Sequence, residues 1–250
     1  CSHDVLWIGT SGGGLNRYNS ISDDFTRFHF NDSAGNYFGQ IIREIKYDNN
    51  GFLWIGTRND GLIAFNPRRN VLKRFLHDPS DNTTISDNTV NAILIDSRGA
   101  LWVGVNDGEI NLFNDENESF KRISYKTKDS PKEKYLSVFD LIEDKNGDIW
   151  IGTRNEDYIY KYDPETNISI RYSEGFPTIG FSFAYTGMDS LWIGSGYGGL
   201  YLYILSSDEI RNYRSYAEEG TLNYNTVKSL YTDKVGNLWI GTDGMGVNIY

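Results

Sequence analysis

Six copies of one short segment, each centred on a tryptophan, run the length of this chain. Trp7, Trp54, Trp102, Trp150, Trp192 and Trp239 sit in LWIGT, LWIGT, LWVGV, IWIGT, LWIGS and LWIGT, and they account for every tryptophan present. Their separations are 47, 48, 48, 42 and 47 residues. A period of that size means one supersecondary unit copied in tandem, each copy covering the next. The 250 residues therefore read as one repeat domain over 1–250 and not as several independent folds.

The second copy shows the unit. An alternating run over 41–48 meets a turn at Asn49-Asn50-Gly51, and 52–57 runs back. Arg58-Asn59-Asp60-Gly61 makes a second turn, 62–66 goes out, and Pro67-Arg68-Arg69-Asn70 turns the chain into 71–75. Four short β-rich segments joined by Gly, Pro, Asn and Asp turns are a hairpin meander. The turns are too short for crossover helices, so the strands are antiparallel. Such a sheet cannot bury both faces alone; arranged radially, each covers its neighbour. The expected fold class is all-β, a β-propeller of four-stranded antiparallel blades; a solenoid of helical pairs has similar periods but does not alternate this way.

The repeated residues make sense in that setting. The tryptophan is the wedge between blades, the glycine two residues on allows close backbone approach, and the Thr or Ser after it can bond the next turn. Asp48, Asp96, Asp144 and Asp233 each precede a glycine by three positions and read as turn residues, not catalytic ones. The first copy lacks its first strand and the sixth stops within its third, so twenty-two strands are expected. Partial blades at 1–30 and 226–250, with full blades between, suggest consecutive blades of a larger, seven-bladed ring. The absence of an initiator Met and the abrupt start at a repeat motif suggest an excised or processed piece.

Acidic residues outnumber basic ones by 34 to 24, and the formal net charge of −10 opposes non-specific binding to nucleic acid or anionic membranes. The only cysteine, Cys1, excludes an internal disulfide and leaves the compartment open; Cys1-Ser2 also fits the start of a mature lipoprotein. No stretch has the length of a membrane span and no signal peptide is present.

The pattern D-x-x-G-x-L-W-I-G-T-x-x-G-L, clearest in DNNGFLWIGTRNDGLIAFN (48–66) and DKVGNLWIGTDGMGVNIY (233–250), resembles the two-component regulator propeller repeat. The segments HDPSDNTTISDNTV (77–90) and EEGTLNYNTV (218–227) resemble that family's links between blades. Copy five departs from the pattern with Thr186 and Asp189, copy three with Val105 and Gly108-Glu109, and copy four with Asp157. The resemblance implies the periplasmic, ligand-sensing region of a hybrid two-component histidine kinase and response regulator. It implies an oligosaccharide cue, adjoining propeller and β-sandwich domains as partners, and a homodimer when full length. No cofactor and no catalytic residue are expected in this domain.

In a propeller the turns between second and third strands and the links between blades share one face, around the mouth of the central channel. The equivalent turn position holds Ser11, Arg58, Asn106, Arg154, Gly196 and Asp243, and variation at a fixed spot is what a binding face needs. Arg58-Asn59-Asp60 and Arg154-Asn155-Glu156 stand out, because a guanidinium fork suits the carboxylate or sulfate of an acidic sugar. Each arginine could instead pair with its acidic neighbour. The blade links carry Tyr37, Phe38, Tyr135, Phe176 and Tyr224, and a second turn carries Tyr197, as rings on which sugars could stack.

His3, His29 and His77 stand far apart, so no metal site is expected. No calcium loop, nucleophile elbow or phosphate-cradling loop is visible. Two other classes stay open. A glycan-active enzyme would need converging carboxylates, with Asp60, Asp107, Glu156 and Asp243 as candidates. A protein-binding scaffold would instead show broad apolar or charged patches on the mouth.

Overall fold

A computed structural model describes residues 5–125, 137–154, 159–172, 174–177, 180–187, 189–216 and 221–250. In the second copy the strands are Ile42–Tyr47, Leu53–Thr57, Leu62–Asn66 and Val71–Phe75, hydrogen-bonded in sequence order as one antiparallel sheet. The third, fourth and fifth copies repeat it over 90–123, 137–172 and 180–213. The first and sixth copies give three strands each, over 7–28 and 227–249, so the blades hold the twenty-two strands expected. A further two-stranded ribbon, Phe30–Asn31 with Tyr37–Phe38, lies between the first and second blades; its strands are too short to show alternation in the sequence. The fold is all-β, six blades of the β-propeller type, three in each of two compact units, Cys1–Ile123 and Ser124–Tyr250. Among the described residues no helix is long and apolar enough to cross a membrane.

The turn aspartates have a second task that spacing did not disclose. Asp96 Oδ1 accepts the backbone N–H groups of Arg98 and Ala100, and Oδ2 accepts the indole N–H of Trp102 at 3.0 Å. The same indole bond joins Trp54 to Asp48, Trp150 to Asp144 and Trp239 to Asp233 at 2.9–3.0 Å. One carboxylate thus closes the first turn and satisfies the polar edge of an otherwise apolar wedge. In the fifth copy the Thr186 hydroxyl accepts the Trp192 indole N–H at 2.7 Å, so that departure keeps the bond.

Within each unit the seams are built on three rings: the tryptophan, a ring ending its own blade's outermost strand, and one from the third strand region of the next blade. Trp54, Phe75 and Phe113 form one such set, with centroids 5.1–6.1 Å apart. Trp150, Tyr172 and Tyr203 form another, and Trp192, Tyr213 and Tyr250 a third. Ring pairs at these spacings contribute about 0.5–1.5 kcal/mol each beyond burial. Trp54, Trp102, Trp150 and Trp192 are buried, while Trp239 is 40% exposed. Within the units the glycine after the wedge admits the next blade: a Cβ on Gly56 would lie 2.9 Å from Val90 Cγ1, and one on Gly194 2.7 Å from Val227 Cγ1.

Candidate functional site

Within each unit, the turns between second and third strands are tied to the links between blades, which makes one continuous connection face. The Thr or Ser after the repeat glycine shapes the turn: Thr57 Oγ1 donates to the Gly61 carbonyl at 2.7 Å, and Ser195 Oγ to that of Gly199 at 2.9 Å. The link then straps the turn. Gly61 N–H donates to the Asn88 carbonyl and Asn106 N–H to that of Thr89, at 2.8 and 3.0 Å. In the other unit Thr226 Oγ1 donates to the Gly196 carbonyl at 2.7 Å, and Asp243 N–H to the Thr226 carbonyl at 3.0 Å. Turns fixed this way display side chains on a rigid base, which lowers the ordering cost of binding.

A feature with no sequence signal organises that face. In all five blades that have a complete first strand, the strand bulges near its start, just before the residue paired with the repeat glycine. The extra residues are Arg43, Asn91, Phe139, Phe181 and Lys228. A bulge adds a residue outside the strand's alternation and re-aims its side chain, so this position is free to differ from blade to blade. In the Ser124–Tyr250 unit the bulge residues meet. Phe139 and Phe181 pack edge to face at 5.4 Å. The Arg154 guanidinium lies 5.8 Å from the Phe139 ring centre, and Lys228 Nζ 4.3 Å from that of Phe181. Lys228 Nζ also approaches Asp243 Oδ2 at 3.7 Å, a solvent-exposed pair worth little in water. Both phenylalanines are half-buried, so the row presents apolar ring surface between two cations.

Of the residues expected at the mouth, Arg154 and Asp243 fall in this row. Tyr197 and Tyr224 stand on the same face of the same unit, 81% and 44% exposed, on segments joined by the Thr226 strap. Asn59 and Asn106 come together in the other unit: the Thr89 hydroxyl donates to Asn59 Oδ1 at 3.1 Å, and its carbonyl accepts Asn106 N–H. Arg58 is exposed and makes no ion pair among the described residues; its acidic neighbour Asp60 pairs instead with Arg74 at 2.8 Å and accepts the Gly39 N–H. Tyr37 is exposed on the ribbon beside the His29 ring. Asn155 and Tyr135 lie outside the described residues. Two proposed stacking rings are structural: Phe38 is buried against Phe30 with Arg74 over it, and Phe176 fills the seam among Trp150, Tyr172 and Tyr203.

Two groups of unusual energetics also sit on the other unit's face. Burial holds the Asp107 carboxyl above its ordinary range, with the nearby charges of Glu109 and Asp87 pushing the same way. The Ser86 hydroxyl and Glu109 N–H donate to it. At the bulge, Asn91 is buried, and its Nδ2 has no hydrogen-bond partner among the described residues.

Four segments, residues 36–59, 84–107, 133–155 and 221–244, match the family described as two component regulator propeller. Those four segments carry the pattern of two-component regulator propeller repeats. Each matched segment runs from a blade link through the first two strands, so the family pattern covers the strapped turn and the bulge together. Among solved structures, the chain is 23% identical to the extracellular domain of a hybrid two-component system from B. thetaiotaomicron, with a TM-score of 0.84. That match covers 100% of this chain and 32% of the other, so the chain spans about a third of the similar domain's length. A second such domain from the same organism is 18% identical at a TM-score of 0.62, covering 99% of this chain and 38% of the other. Virginiamycin B lyase from Staphylococcus aureus is 13% identical at a TM-score of 0.72, covering 100% of this chain and 81% of the lyase. No curated protein sequence matches the chain.

Proposed function

We propose that the chain is the ligand-sensing, extracytoplasmic propeller of a hybrid two-component system, and that it recognises an acidic oligosaccharide on its connection face. The observation that carries the ligand class is the row Arg154, Phe139, Phe181, Lys228. Phenylalanine surface suits the C–H face of a sugar ring, and a cation at each end suits a carboxylate or sulfate. The exposed Tyr197 and Tyr224 extend the surface for further sugar units. Support for the sensor role comes from the repeat family and from the extracellular two-component domains of like fold. On this reading the whole protein carries a histidine kinase, resides in the inner membrane with this region in the periplasm, and relays binding through adjoining propeller and β-sandwich domains of a homodimer.

Calorimetric titration with a panel of acidic and neutral oligosaccharides tests the reading. One acidic glycan is expected to bind saturably, and Arg154→Ala or Lys228→Ala to weaken it about tenfold, the loss of one charge-assisted bond. Binding that ignores both changes would move the site off the row. A panel with no binder, on folded protein, would favour a scaffold that meets other proteins.

A further inference from the structure

One cavity lies away from the connection face. It is a groove of about 760 Å³ between the second and third blades, at the end of the strands that carries the first and third turns. That volume falls within the range of small-molecule sites, roughly 300–1,000 Å³. Its floor is aromatic: Phe52, Trp54, Phe75 and Phe113, the last three being a seam set. The three phenylalanines are only half-buried. In the seam between the fourth and fifth blades a ring from the blade link, Phe176, stacks on Trp150 at 6.5 Å; the link at the Trp54 set contributes the smaller, aliphatic Ile85, and the half-buried phenylalanines line the groove.

The rim decides what the floor could hold. Its charges balance, with Arg69, Lys73 and Arg98 against Asp48, Asp115 and Glu118. Two of the acids are engaged: Asp48 by its turn and the Trp54 indole, and Glu118 by Lys73 across the groove. Arg98 lies 3.4 Å from Asp96, whose other contacts are its own turn and indole. No net field is left to select a strongly acidic or basic ligand. What the rim does offer is planar donor and acceptor groups, the guanidiniums of Arg69 and Arg98, the amides of Asn49 and Asn50, and the Asp115 carboxylate. Forked groups of this kind match pairs of neighbouring hydroxyls, and aromatic surface matches the C–H face of a pyranose.

We infer that this groove is a second carbohydrate site, for a neutral sugar segment, separate from the charged row. The inference rests on the reading of the chain as a glycan sensor and adds to it a second, neutral sugar specificity carried by the Cys1–Ile123 unit. The six indole N–H resonances provide a direct test. Adding neutral hexasaccharides of glucose, xylose and mannose to the ¹⁵N-labelled chain should shift the Trp54 resonance saturably, its assignment given by Trp54→Phe. Arg98→Ala and Asp115→Ala, both at the exposed rim, should each weaken that binding at least fivefold, whereas Lys228→Ala should not change it. The other five indole signals report that the variants are folded. Saturable sugar binding with Trp54 unmoved and both rim variants neutral would overturn the groove and leave the sensor reading standing. No saturable binding of neutral or acidic sugars would overturn both.

Discussion

At the scale of single residues, the repeat aspartate does more than its place in a turn suggests. The Asp96 side chain is fully buried, and it accepts two turn amides and the Trp102 indole N–H. Asp96→Ala leaves those buried donors without it, which costs about 2–4 kcal/mol and should lower the midpoint of thermal unfolding by several degrees. Asp96→Thr should recover part of the loss, because Thr186 holds the Trp192 indole in the fifth copy. Asp107 behaves oppositely. Its carboxyl is held above the ordinary range by burial, so the ionised form is penalised in the folded state relative to an unfolded value near about 3.9. That penalty is fully present above the folded pKa and vanishes below the unfolded one. Asp107→Asn keeps an oxygen for Glu109 N–H and should therefore raise the melting temperature at pH 7. The gain over wild type should shrink toward zero as the pH falls below about 3.9, as thermal scans across pH would register.

At the scale of elements, the blade seam is where packing leaves least room. Gly194 pairs with the residue after the Phe181 bulge, and a Cβ there would lie 2.7 Å from Val227 Cγ1, 2.8 Å from Ser182 Oγ and 3.1 Å from the Val227 carbonyl. Gly194→Ala should cost about 1–3 kcal/mol by overpacking, read as a lower denaturant midpoint at unchanged slope. Much of this level was legible in the chain itself. The strand count, the meander order and the glycine's purpose all follow from a 47-residue spacing and from alternation. The ribbon at Phe30–Asn31 and Tyr37–Phe38 was not, because two-residue strands carry no period. Nor were the bulges, since a one-residue insertion into a strand leaves the hydrophobic pattern readable in either register. The candidate site suffered from this directly. Arg154 and Asp243 stood out because turns announce themselves, whereas Phe139, Phe181 and Lys228 looked like ordinary strand residues. Phe38 and Phe176 misled for the converse reason, as link residues whose rings the fold turns inward.

For the molecule as a whole, the account separates scaffold from recognition. Aspartate, tryptophan, glycine and Thr or Ser recur in fixed places and hold sheet to sheet, and the same positions cannot also choose a ligand. Choice falls to the places the repeat leaves free: the second-turn residues, the bulge residues and the blade links. In the Ser124–Tyr250 unit these free positions gather two rings and two cations at one spot. An acidic chain that concentrates cations there favours an anionic ligand by local and not by net charge, so its affinity should fall with added salt. The measurement that bears most directly on the central claim is a crystal structure of this chain with the acidic oligosaccharide that titrates it. The account predicts a sugar ring against Phe139 and Phe181, with its acid group within hydrogen-bond reach of Arg154 or Lys228, about 3 Å. A ligand seated elsewhere, with that row unchanged and solvent-filled, would contradict it.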